Sequence, residues 1–224
     1  MRKLKLFLST VILWALPSTS YSQLYIEETF FPVYVKKNDV AMSEIGGSVS
    51  GVVPTESGIG YDFRTTIGYT FTNNIILALS YNLYSVTSSR PSEGGQDAIE
   101  RTLSKNELGP TVGYTLGAWR FLLTYFVNAE KSLKSKVTLS DGTLSTDETT
   151  TNLSGKGIQA TVNYSLNLGG GFEIGPSLIY RSLSYSKQTL EWRAGASIPY
   201  TNATLVTPAI DAELKPMITV VYRY

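Results

Sequence analysis

The chain has 224 residues and contains neither cysteine nor histidine. Without cysteine there is no disulfide framework, no thiol nucleophile and no lipoprotein anchor. Without histidine there is no Ser-His-Asp or Cys-His triad and no histidine-based zinc site. Long apolar runs are also missing: beyond residue 22 nothing approaches the ~20 consecutive apolar residues of a membrane helix. Neither sign of charge dominates, with 19 Lys and Arg against 18 Asp and Glu, so no basic footprint for nucleic acid is present. No phosphate loop or nucleotide fingerprint occurs.

What is present begins with an export pattern. Arg2, Lys3 and Lys5 precede an apolar run at 6–16, Pro17 breaks it, and Ser20-Tyr21-Ser22 offers a small-x-small cleavage site. The expectation is a signal peptide at 1–22 and a mature domain at 23–224. Removing three of the 19 basic residues leaves 16 against 18 acids, a net charge of −2.

The mature chain alternates. At its end Ile218, Val220, Tyr222 and Tyr224 fall on one face of an extended strand, and Lys215, Met217, Thr219, Val221 and Arg223 on the other. The same period of two runs through Ile59–Phe71, Ile75–Leu83, Leu108–Leu116, Trp119–Val127, Ile158–Leu166 and Phe172–Tyr180. The first strand, near 24–37, is the weakest; Phe31, Val33 and Val35 are expected to face outward there. Tight breaks at 72–74, 117–118 and 169–171 recur at intervals of about fifty residues, each interval holding two strands and one longer loop. Four intervals give eight strands. The longer loops, at 38–57, 88–99, 137–151 and 188–206, lie at the opposite end from the tight turns, as in outer-membrane barrels.

Alternation alone leaves open which face is outside, since a soluble lipocalin-like carrier is also an eight-stranded barrel with its apolar face inward. Aromatic spacing favours the membrane. Tyr61 and Tyr69, and Phe172 and Tyr180, are eight residues apart, about 20 Å of height at ~3.3 Å rise and ~40° tilt, near the ~25 Å apolar band between aromatic girdles. The opposite faces carry charges of both signs separated by Gly, Ser and Thr, which suits a narrow interior. The ten charged residues expected to form a lumen network are Asp62, Arg64, Glu107, Arg120, Glu173, Arg181, Asp211, Glu213, Lys215 and Arg223. Asp211 to Lys215 are placed nearer the outer end and Arg223 at the periplasmic end.

A terminal aromatic with apolar residues two, four and six positions before it resembles the C-terminal signature of bacterial outer-membrane β-barrels. Here Tyr224, Tyr222, Val220 and Ile218 match it. At the level of pattern, 23–224 is similar to the small barrels represented by OmpX, OmpW and the OmpA transmembrane domain. The resemblance implies an all-β, eight-stranded antiparallel up-and-down transmembrane β-barrel in the outer membrane. It implies contact with the lipid bilayer and reading of the C-terminal signature by the outer-membrane assembly machinery. It names no activity. The small barrel enzymes that act on lipid A or phospholipids depend on a histidine, which this chain lacks.

Other chemistry is thin. Asp211 and Glu213 lie two apart on one face, but neutralising Lys215, Arg223, Arg64 or Arg120 is the simpler reading than paired-carboxylate catalysis. Asp141, Asp147 and Glu148 match no calcium loop. Trp192, between Glu191 and Arg193, reads as an interfacial or recognition residue. No enzyme, cofactor or metal is expected, and the sequence names no extracellular ligand. The first functional reading is a barrel filled by side chains that acts through its long loops. The alternative is a narrow pore or an OmpW-like conduit, with Gly68, Gly109, Gly113 and Gly175 leaving space inside.

Overall fold

The computed structural model of the protein describes residues 23–38, 55–91, 98–138, 144–193 and 201–224. The expected signal segment, the tips of the four long loops, Asp141, and the side chains of Asp147, Glu148 and Trp192 lie outside them.

Alternation of apolar and polar residues produces nine strand elements among the described residues: β1 (Gln23–Asn38), β2 (Thr55–Thr70), β3 (Ile75–Arg90), β4 (Ala98–Leu116), β5 (Trp119–Thr138), β6 (Leu144–Tyr164), β7 (Leu166–Gly169), β8 (Phe172–Arg193) and β9 (Thr201–Arg223). All pairings are antiparallel and join strands adjacent in sequence, except that β6 pairs with β8, and β1 with β9 closes the ring. β6 and β7 form one crossing interrupted at Ser165, because both pair with β8 in the same register, Asn163 with Ser177 and Leu166 with Ile174. The wall therefore has eight crossings, as the sequence indicates. The tight turns lie at one end, where Asn74 (φ 65°) and Gly117 (φ 59°) adopt the left-handed conformation that short hairpins require.

The apolar faces point outward. Tyr61, Tyr69, Phe172 and Tyr180, the aromatic girdle expected from the sequence, are each between 42% and 48% exposed. Trp119, Tyr114 and Tyr164 join the lower ring, and Tyr81 and Tyr125 the upper. Trp119 meets Tyr164 edge to face, with ring centroids 5.0 Å apart. Above the upper ring polar residues enter the outward positions, as at Thr87, Thr102 and Ser184, beside exposed Ile59 and Ile210. The core is thus the lumen rather than a sandwich interior.

The first strand departs from expectation. Phe30 pairs with outward Phe63 and is 48% exposed, whereas Phe31 pairs with the buried Asp62. Phe31 and Val33 therefore belong to the lumenal face, one residue out of step with the sequence reading. The adjacent acids Glu27 and Glu28 obscured the period. The side chain of Val35 is outside the described set.

Ring closure is incomplete. β1 and β9 pair only from Tyr25↔Arg223 to Phe30↔Ile218. Leu24 and Tyr224 exchange both N–H···O bonds (2.9 and 3.1 Å), so every second rung above them is doubly bonded. The next such rung after Phe30↔Ile218 sets Pro32 against Pro216. Neither proline has an N–H to donate, and the ladder stops.

Candidate functional site: the filled lumen

Each inward position of a strand projects toward the barrel axis, and eight strands leave a space that side chains fill. Among the described residues, six carboxylates meet seven cations in two groups of ion pairs: a lower one of Glu27, Glu173, Arg64, Arg120 and Arg223, and an upper one of Asp62, Glu107, Asp211, Glu213, Lys105, Lys131, Arg181 and Lys215, joined by hydrogen bonds through Thr161, Gln159 and Asn82. The near balance of sign gives each charge a partner of opposite sign, which a charge away from bulk water needs.

The column runs from bottom to top. At the turn end, Glu173 accepts from Arg120 (3.1 Å) and lies 3.3 Å from Arg223. Above them Glu27 is fully buried; it pairs with Arg64, lies 3.9 Å from Arg120 Nε, and accepts from Asn163 Nδ2 (2.8 Å) and from the Tyr25 hydroxyl. Arg64 also donates to Thr161 (2.7 Å). Next, Arg181 reaches Glu107 (2.7 Å), Glu213 and Asp62 (3.7 Å), and Lys215 bridges Asp62 and Glu213. At the top, Lys105 and Lys131 each lie 3.0 Å from Asp211. Asn82 ties this column to the wall through Glu107 (2.9 Å) and Gln159 (3.0 Å). A cross-strand run of hydroxyls, Thr66–Ser80–Thr111–Thr124, joins four strands at 2.8, 2.6 and 2.8 Å.

Two apolar clusters pack beside the charges, one near each end. Tyr25, Ile76, Leu122 and Val221 pack near the turn end; Phe126, Ala129, Leu183 and Tyr185 pack near the loop end. The second cluster exists because β5 is bulged between Phe126 and Ala129. The extra residue turns Phe126 and Ala129 to the same side, which simple alternation forbids.

All ten charged residues singled out in the sequence lie on the lumenal face in ion pairs. Three members were missed. Glu27 sits in the strand whose register was uncertain, and Lys105 and Lys131 lie where the outer face has already become polar. Pairing Glu27 with Thr66 through the first hairpin was the signal available. Asp211 and Glu213 do not form a carboxylate dyad: Asp211 pairs with Lys105 and Lys131, and Glu213 chiefly with Arg181 and Lys215. The glycines open no lumen space. A Cβ at Gly109 or Gly175 would collide with the carbonyl oxygen of Tyr125 or Tyr164, so those residues let neighbouring strands approach. The space beside Gly113 holds Leu122, and that beside Gly68 the Leu77 carbonyl. Among the described residues no three His, Cys, Asp or Glu side chains group as a metal site.

A closed antiparallel ring, an apolar girdled exterior and a charged interior define a transmembrane β-barrel of the outer-membrane class. Among solved structures, the chain is similar to a major outer membrane protein of Thermus thermophilus. The match has 11% identity and a TM-score of 0.53, and covers 92% of this chain and 100% of that one. Two more are Ail, the attachment invasion locus protein of Yersinia pestis, solved with the heparin analogue sucrose octasulfate (12% identity, TM-score 0.40), and Neisserial surface protein A (11%, 0.40). Each covers 92% of this chain and 100% of its own. No family model matches the chain, and no curated protein matches it in sequence.

Proposed function

We propose that the protein is an integral outer-membrane barrel with a closed lumen, acting through contacts made by its extracellular loops. The observation that carries this reading is the column of two ion-pair groups from Glu173 to Asp211, joined by hydrogen bonds through Thr161, Gln159 and Asn82, with an apolar cluster near each end. Such a plug offers no aqueous path and leaves the long loops as the surface available for recognition. Export through the 1–22 segment, and reading of Ile218, Val220, Tyr222 and Tyr224 by the assembly machinery, belong to the same proposal. In support, Ile218, Val220 and Tyr224 stand 58%, 40% and 82% exposed on the outer face. The purified barrel in a planar bilayer is expected to show no discrete conductance steps. Reproducible channels abolished by no loop change would overturn the closed reading.

A second reading, a conduit for apolar solutes, rests on the β1–β9 seam. Where the ladder stops, the lumenal side carries Phe31, Val33 and Met217, an apolar lining beside the unpaired edge. Uptake of an apolar dye into vesicles that requires the open seam would favour it over the loop reading.

A further inference from the structure

Glu27 and Glu28 are adjacent in a strand, so one carboxylate must face each side of the wall. Glu27 takes the lumen, and Glu28 is left on the lipid side. Its depth is fixed by its neighbours. Glu28 pairs with Thr65, which lies midway between the girdle residues Tyr61 and Tyr69, and on the other flank with Val220. The carboxylate is therefore at mid-height of the apolar band. Thr65 donates to Oε2 at 2.9 Å. Between the two girdles, every other described outward position is apolar; Glu28 and Thr65 are the polar exceptions.

An ionised carboxylate exposed to hydrocarbon is costly, and an intramembrane acid calls for a partner. No described outward side chain in this chain's band offers a cation, so a different face of a second copy has nothing to neutralise it. The same face does. A protonated carboxyl is both donor and acceptor, hence self-complementary across a two-fold axis. Two copies in one membrane sit at the same depth, so an axis along the membrane normal brings the two Glu28 side chains level without adjustment. Around them Ile26, Phe30, Phe63, Ile67 and Ile218 form an apolar collar, with the small Val220 and Thr65 beside the acid giving the partner room to approach. We propose that the β1–β2 outer face is a homodimer interface within the membrane, centred on Glu28 and Thr65, with a second copy of this chain as its occupant.

The absence of cysteine makes the test direct. Single-cysteine variants Ile67→Cys, beside the proposed centre, and Leu123→Cys, on β5 across the barrel, are reconstituted in phosphatidylcholine vesicles at dilute protein and crosslinked with a bis-maleimide. Folding of each variant is checked by heat-modifiable gel mobility. Ile67→Cys is expected to crosslink and Leu123→Cys not. Adding Glu28→Leu should lower the crosslinked fraction about tenfold, the scale of one interhelical-type polar contact in membranes, while Glu28→Gln, which still donates and accepts, should retain most of it. Equal crosslinking at both cysteines overturns the proposal. So does undiminished crosslinking in folded Glu28→Leu, or crosslinking of Ile67→Cys only to a different protein in native membranes. Dilution-dependent energy transfer between labelled cysteine-free copies gives a second measure; a monomer at every protein-to-lipid ratio would refute the dimer even if Glu28→Leu failed to fold.

Discussion

Glu27 receives two guanidiniums, an amide and a phenol on one fully buried carboxylate. Replacing it with Leu would leave Arg64 and Arg120 short of their counter-charge in a low-dielectric space, a loss of about 3–5 kcal/mol. Urea unfolding in lipid vesicles checks this, with the exposed Lys134→Ala expected to stay within about 0.5 kcal/mol of the parent chain. A Glu27→Leu variant as stable as the parent would show that the column is ornamental to folding. At this scale the sequence was legible wherever alternation was clean. Inward Arg64, Glu107, Arg120 and Arg181 could be assigned because apolar residues flank them at every second position. Glu27 could not, since an acid on each side of the wall erases the contrast on which the period depends. Lys105 and Lys131 were hidden for a related reason: above the girdle both faces are polar.

Among the strands, β1 is the one with divided loyalties. It pairs with β2 along its whole length, Gln23↔Thr70 to Asn38↔Thr55, but with β9 only as far as Phe30. The backbone amides of residues 34, 36 and 38, which continue the doubly bonded rungs toward β9, are expected to exchange with deuterium far faster than those of 26, 28 and 30. A Pro32→Thr, Pro216→Thr double variant restores both donors at the blocking rung. Hydrogen exchange on it should show protection spreading upward; unchanged exchange would mean that something other than the prolines ends the ladder. Both prolines are visible in the sequence, but their opposition depends on a register that only ring closure sets. The bulge at Phe126–Ala129 was equally unreadable, because nothing in the local residues distinguishes an inserted position from a polar lapse in the apolar face.

For the molecule as a whole, strand number, direction and exterior face followed from hairpin spacing and aromatic placement, because a membrane wall imposes one period along its entire circumference. The C-terminal strand completes that circumference: Tyr224 bonds back to Leu24, and Tyr222 packs on Phe172 with centroids 4.6 Å apart. Deleting Tyr224 is therefore expected to reduce the heat-modifiable, membrane-assembled fraction more than removal of any one long loop does; normal assembly without it would refute the targeting role while leaving the barrel intact. The strands also differ in length. β1, β2 and β3 have 16 residues each, β8 has 22 and β9 has 23. At ~3.3 Å rise and ~40° tilt, the short ones climb about 40 Å and β8 about 55 Å, against an apolar band of ~25 Å. Among the described residues, the strand wall therefore reaches higher along β8 than along β1–β3. The described wall is thus unequal around its circumference, so viewed down its axis it has a front and a back.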